Sequence, residues 1–333
     1  MQNNPVIIIS RTDSIGDVVL TLPMAGIIKQ FLPQSNIIFL GRNYTKDVIA
    51  LSEHVDEFVS YDDILKLNPN EQIDAFKKLN ATHIIHVFPV KEIAQLAKKA
   101  GIAHRIGTTN RLWHWFTCNV RIKFSRKNSD LHEAQLNTKL LAPLGIDKDF
   151  SIEELATNYG FTKVPTLEKT HLDLIDKTKI NVILHPKSKG SAREWGLDNF
   201  SKLITQLDKT THQIYISGTQ QEGELVKDLI AKHPETINLT GKLSLQQFIA
   251  FINHCDVLIA ASTGPLHIAS ALGKKAIGLF APMRPIHPGR WKPIGKQANY
   301  LVLNKDCSDC RKTMNCHCIR EIKTMDVINV IDK

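Results

Sequence analysis

Nowhere in these 333 residues does an apolar run approach the roughly eighteen needed to cross a bilayer, and the opening M-Q-N-N-P lacks the charged and apolar regions of a secretion signal. The expectation is a soluble, cytoplasmic protein. Neither G-x-G-x-x-G nor G-x-x-x-x-G-K-[ST] occurs, so dinucleotide oxidoreductase and P-loop nucleotide hydrolase lose their sequence support. Metal-binding D-x-D is confined to one triplet, Asp147, Lys148 and Asp149, in a polar stretch with no strand leading to it, which reads as a solvated linker. Cysteine is scarce. Of six, Cys307, Cys310, Cys316 and Cys318 form C-x2-C-x5-C-x-C, close enough for zinc but tighter at the end than paired knuckles; reduced thiols or a local disulfide are the alternatives.

What is present is an apolar content of 43%, enough at this length for two domains with proper cores, and a formal net charge of +9. Such a charge implies an anionic partner: nucleic acid, an acidic membrane surface or a phosphorylated substrate. Strand-like runs at 6–10, 36–40, 57–60, 83–87 and 103–107 alternate with helical spacing at 17–31, 43–52, 72–79 and 91–100. A polar region over 128–168 interrupts the pattern and is expected to hold the interdomain linker. The alternation resumes with strands at 180–185, 213–217, 257–260 and 276–280 and helices near 198–207, 221–232, 244–254 and 265–272. Two Rossmann-like α/β halves with parallel sheets are the simplest account.

Two loops stand out. Residues 11–23, R-T-D-S-I-G-D-V-V-L-T-L-P, read as a tight turn between strand and helix, with Gly16 in the turn and Asp17 at the helix start. Ligands gather at such strand ends, where a carboxylate can act as a base on a bound hydroxyl. Asp17 is equally suited to capping the helix, a role with roughly 0.5–2 kcal/mol behind it. Residues 261–272, A-S-T-G-P-L-H-I-A-S-A-L, follow the strand at 257–260: Ser262 and Thr263 offer hydroxyls, Gly264 an unobstructed backbone, Pro265 suits the first turn and His267 projects from it. Free N–H groups and the positive dipole end make such a start an anion site, although an ordinary capped helix would look the same.

Together, about 250 residues apart in this order, the two motifs resemble the family 9 glycosyltransferases, the lipopolysaccharide heptosyltransferases, and the stretch I-L-H-P-K-S-K-G-S-A-R-E-W at 183–195 resembles them too. The resemblance implies a GT-B fold with two parallel sheets facing a central cleft. It places an acceptor domain at 1–165, a nucleotide-sugar domain at 166–321 and a helix at about 322–333 returning to the first. It implies inverting transfer from ADP-heptose to the lipopolysaccharide inner core, with Asp17 as base and Ser188, Arg193, Thr263, Gly264 and His267 at the donor diphosphate. Ser262, Lys187 and Lys189 are expected beside them, and Arg11, Asp13, Ser14 and Gly16 on the acceptor side. Ser262 departs from the family, which usually carries Asp there, and Arg193 often is Lys. No cofactor or metal is called for, since the basic loop can meet the leaving diphosphate.

Residues 283–293, M-R-P-I-H-P-G-R-W-K-P, form a stiff loop after the strand at 276–280, with Arg284, His287 and Arg290 available to a sugar or phosphate. In the first half, the aromatics at 113–116 and the basic strip of Arg121, Lys123, Arg126 and Lys127 suit an anionic glycolipid at the inner face of the cytoplasmic membrane, with core packing and a solvated face as the plainer readings. The competing classes are a GT-B transferase or epimerase using another nucleotide sugar, and a basic nucleic-acid-binding protein, against which the lack of a recognition module counts.

Overall fold

The computed structural model describes residues 4–127, 129–284, 287–304, 307 and 317–332. Among these, strands β1 (Val6–Ser10), β2 (Asn36–Gly41), β3 (Glu57–Ser60), β4 (His83–His86), β5 (His104–Thr108) and β6 (Val120–Ile122) form one parallel sheet in the order β3-β2-β1-β4-β5-β6. Strands β7 (Ile180–His185), β8 (His212–Ile216), β9 (Ile237–Asn238), β10 (Val257–Ala261), β11 (Lys275–Phe280) and β12 (Ala298–Val302) form a second, in the order β12-β11-β10-β7-β8-β9. Both are the doubly wound order. The direction of winding reverses between β1 and β4 in one sheet and between β7 and β10 in the other, and the crevice beyond the carboxyl ends of those strands is where such folds take ligands.

The β1 triplet Ile7, Ile8 and Ile9 is fully buried, as a central parallel strand covered on both faces requires. Helices follow the expected positions with two breaks. The 17–31 stretch divides into Ile15–Val19 and Pro23–Phe31 because Pro23 has no N–H to continue the first ladder and suits the first turn of the second. The 221–232 stretch divides into Gln220–Leu225 and Lys227–Lys232. Strands β6, β9 and β12, all at sheet margins, carry too little apolar alternation to be read beforehand.

The chain separates into two compact units, Met1–Lys163 and Val164–Lys333. The boundary between the units falls inside the polar region at 128–168, as expected, although most of that region belongs to the first unit: Leu136, Leu140, Leu141 and Leu155 are buried and the helix Glu133–Thr138 packs there. The carboxyl-terminal helix Thr324–Ile331, expected to return to the first unit, packs in the second. Its Val327 and Ile331, four residues apart on one face, sit in the core of the second with Leu203, Ile204 and Ile277, and Lys275 Nζ donates to the Ile331 carbonyl at 2.7 Å. The helix's apolar stripe had to be covered, and the helix Leu197–Gln206 covers it.

Candidate functional site

In the first unit the turn after β1 carries Arg11, Asp13, Ser14 and Asp17. Ser14, not Asp17, has the extended N-cap backbone of the helix Ile15–Val19, and Asp17 is its third residue. The capping reading of Asp17 thus gives way to another set of contacts. Its two carboxylate oxygens accept from Arg11 Nη2 and from the Ser14 hydroxyl, and its side chain keeps 19% of its surface open. Arg11 is 3% exposed and spends its fork on three carboxylates: Nη2 on Asp17, Nε on Asp13 at 2.7 Å and Nη1 on Glu133 at 3.2 Å. A buried guanidinium demands such partners, and its planar fork then fixes where each carboxylate lies.

Behind this layer stands a second. Glu133 also accepts from Arg126 Nη1, Arg126 Nη2 donates to Asn137 Oδ1 at 3.0 Å, and Asn137 donates to the Leu20 carbonyl and the Thr21 hydroxyl, each at 3.2 Å. Arg126 is therefore drawn inward to the carboxylates, not displayed on a solvated strip. The sequence reading missed Glu133 and Asn137, because no local pattern links them to a turn more than a hundred residues earlier. Burial and the Asp17 charge push the Asp13 carboxyl up to about 6 despite the pull of Arg11, and the Tyr44 hydroxyl donates to the Asp13 carbonyl. A partly open carboxylate held in one orientation at the sheet's switch point can receive a proton from a hydroxyl placed beside it.

Arg121 lies on β6, where its guanidinium covers the Trp115 ring at 4.7 Å and Nη1 donates to the Cys118 carbonyl at 2.6 Å, while Lys123 and Lys127 are exposed. Asp147 and Asp149 lie in an exposed turn, where Lys139 pairs with Asp149 and Lys148 with Glu154.

In the second unit the two switch-point strands lead to the other motifs. After β7, Ser188 is buried and donates from its hydroxyl to Glu194 Oε1 at 3.1 Å, its N–H does the same at 3.0 Å, and Lys187 pairs with Glu194. Glu194 thus gathers the loop, a role with no prior signal. Lys189 and Gly190 both take positive φ, which turns the chain back sharply, and Lys189 is exposed. Arg193 is half-buried, and Trp195 anchors the loop by donating from Nε1 to the Ile322 carbonyl at 2.9 Å.

After β10, Ser262 and Gly264 are partly open and His267 is buried one turn into the helix Gly264–Ala271. Thr263 holds the N-cap position with extended backbone, yet its hydroxyl does not cap the helix. At 7% exposure its Oγ1 has no hydrogen-bond partner among the described residues, an oxygen beside a helix start left to bind something else. In the loop after β11, Arg284 is exposed and His287 half-buried, whereas Arg290 is buried over the Trp291 ring at 5.4 Å. Pro285 and Ile286 of that loop, like Cys310 and Cys316, lie outside the described residues. Cys318 is buried in the second core and Cys307 packs partly buried against it.

The family model described as glycosyltransferase family 9 (heptosyltransferase) matches residues 81–318. The lipopolysaccharide core heptosyltransferase OpsX of Haemophilus influenzae is 22% identical over 84% of this chain and 79% of its own length. Among solved structures, a family 9 glycosyltransferase from Veillonella parvula superposes with a TM-score of 0.80 at 19% identity over 100% of this chain and 97% of that one. The E. coli heptosyltransferase WaaC with ADP-2-deoxy-2-fluoro heptose gives 0.71 at 16% identity, covering 98% and 99%. The fold is the GT-B fold, built from two doubly wound parallel-sheet units. With the motifs at the ligand ends of β1, β7 and β10 and the family model spanning most of the sequence, this chain belongs to glycosyltransferase family 9.

Proposed function

We propose that the protein transfers a heptose from ADP-heptose to a sugar hydroxyl of the lipopolysaccharide inner core, with inversion at the transferred carbon. The observation that carries the reading is Asp17, a partly open carboxylate oriented by the buried Arg11 at the ligand end of β1. Asp17 takes the acceptor proton as the new carbon–oxygen bond forms, and ADP departs with the electrons of the bond that breaks. Thr263, Gly264, Ser262 and His267 receive the departing diphosphate, with Lys187, Ser188, Lys189 and Arg193 from the β7 loop adding hydroxyl and positive charge. Arg284 and His287 lie on the loop after the neighbouring strand and suit the donor sugar. No metal is given a role: in the one D-x-D, on an exposed turn, Asp149 is paired with Lys139. Lys123 and Arg121 offer the anionic acceptor its positive surface, and the acceptor is met at the inner face of the cytoplasmic membrane.

Asp17→Asn keeps the shape and an oxygen for Arg11 but cannot take the proton. Turnover is expected to fall roughly 10²–10⁴-fold with ADP affinity intact, and the parent product to carry the inverted anomeric configuration by NMR. Near-normal turnover in the variant would falsify the base assignment. A panel of ADP-, UDP- and GDP-sugars tests the donor separately, with another base or sugar the result that redirects the reading.

A further inference from the structure

The first unit carries a second feature that the transfer chemistry does not use. In the connection between β5 and β6, Leu112 is 75% exposed, Trp115 54% and Phe116 70%, three large apolar side chains within five residues. They are held out from a firm base. His114, between them in sequence, is buried and lies against the ring of His86 at 5.6 Å, while its Nδ1 accepts from the Thr108 N–H at 3.0 Å. Beneath it the sheet is bare: a Cβ on Gly107 would come within 2.6 Å of His114 Nδ1 and 2.9 Å of Cys118 Sγ, so only glycine lets the turn seat this closely. The Trp115 indole donates to the Thr109 carbonyl at 3.3 Å, Lys98 Nζ to the Phe116 carbonyl at 2.9 Å, and the Thr117 hydroxyl to the Trp113 carbonyl at 2.7 Å. Exposed apolar side chains fixed by buried neighbours mark a contact surface.

Charge identifies the occupant. Residues 93–129 contain eight lysines and arginines and no aspartate or glutamate, whereas the remaining positions hold thirty-four basic against thirty-three acidic side chains. All but one unit of the net +9 is thus concentrated in the stretch that bears the apolar knob. Lys98 and Arg121 contact it directly, and Arg111 precedes it, 5.7 Å over the Trp113 ring. A second copy would bring the same charge to the same face and be repelled. Single-stranded nucleic acid would want open rings, but Leu112, the most exposed of the three, has none, and Arg121 already covers one face of Trp115. Apolar tips inside a basic collar are what binds at the boundary of acyl chains and acidic headgroups.

We propose that Leu112, Trp115 and Phe116 insert into the interfacial layer of an anionic lipid bilayer, with Lys98, Arg111 and Arg121 meeting its headgroups. This deepens the proposed acceptor reading and rests on it only for its purpose, since the knob follows the carboxyl end of β5, the same end of the parallel sheet at which the Asp17 turn follows β1. The full chain is mixed with vesicles of phosphatidylcholine alone or with phosphatidylglycerol, at low and high salt, and bound protein is sedimented. Binding should require the anionic lipid and weaken about tenfold or more in high salt. Leu112→Ser with Phe116→Ser should lower the partition coefficient at least about tenfold while ADP binding and circular dichroism stay unchanged. In the chain without those changes, acyl-brominated lipid should quench tryptophan emission, and Trp115→Phe should remove that quenching. Equal binding to both vesicle types, unaltered binding by the double variant, displacement by single-stranded nucleic acid, or a dimer that the double variant abolishes would each overturn the proposal. Transfer to a water-soluble acceptor is read in parallel: its absence alongside intact vesicle binding sinks the proposed reaction and spares this inference, and the reverse result does the opposite.

Discussion

Asp13 shows what burial beside a second carboxylate costs an acid. Its carboxyl, ordinarily near 3.8, rises to about 6, first through burial and then through Asp17, with Arg11 opposing. The groups facing it are Arg11, Asp17 and, through Arg11, Glu133 and Arg126, with Tyr44, Arg42 and Asp62 beyond the turn. A carboxyl that holds its proton more tightly folded than unfolded contributes stability that is complete below about pH 4 and is lost as pH rises through about 6. Asp13→Asn cannot lose a proton. Relative to the parent chain it should therefore gain stability between about pH 4 and 6, on the order of 1–3 kcal/mol, and stay level above that. Chemical denaturation across this range measures the difference; a gap that stays constant with pH would assign Asp13 a purely packing role. At this scale the sequence was legible where contacts are local. Arg11, Asp13, Ser14 and Asp17 lie within seven residues and declared themselves as strand, turn and helix. Glu133, Arg126 and Asn137 did not, because their relation to Asp17 is made only by the folded chain.

Helical spacing told that residues 327–331 present an apolar face, but amphipathicity specifies that a face is covered and not by what. The same limit applies to Trp195, whose place in the 183–195 motif was plain and whose bond to the Ile322 carbonyl was not. That bond ties the loop of Lys187, Ser188 and Glu194 to the carboxyl-terminal segment. Removing residues 323–333 takes Val327 and Ile331 out of the second core, a loss of roughly 3–6 kcal/mol for two fully buried side chains. The truncated protein should melt at lower temperature and lose ADP affinity through its β7 loop. Unchanged melting and unchanged ADP titration would show that the helix is dispensable to the second unit. The two divided helices teach a related lesson: Pro23 was visible as a breaker, yet the apolar spacing on either side of it runs on as one pattern.

Each unit has its own core and its own switch point, which is why alternating strands and helices sufficed to read the architecture while the short marginal strands β6, β9 and β12 escaped notice. If the donor is held as proposed, saturating ADP protects one unit before the other. Hydrogen exchange should slow most in the segments following β7 and β10, with little change across 4–127, because binding stabilises the unit that holds the ligand. Protection centred on the turn after β1 would exchange the roles of the two units.

The reach of Arg11 to Glu133 spans 122 positions of sequence. On a ribosome, where a chain emerges from its amino end, the segment bearing Asp17 is made early, but the carboxylate that completes Arg11's set appears only when the helix Glu133–Thr138 has left the exit tunnel. The contact set around Asp17 is consequently completed late in the synthesis of its own unit, and a nascent fragment that already shows β1 to β6 still lacks the partner that holds the turn after β1 in place.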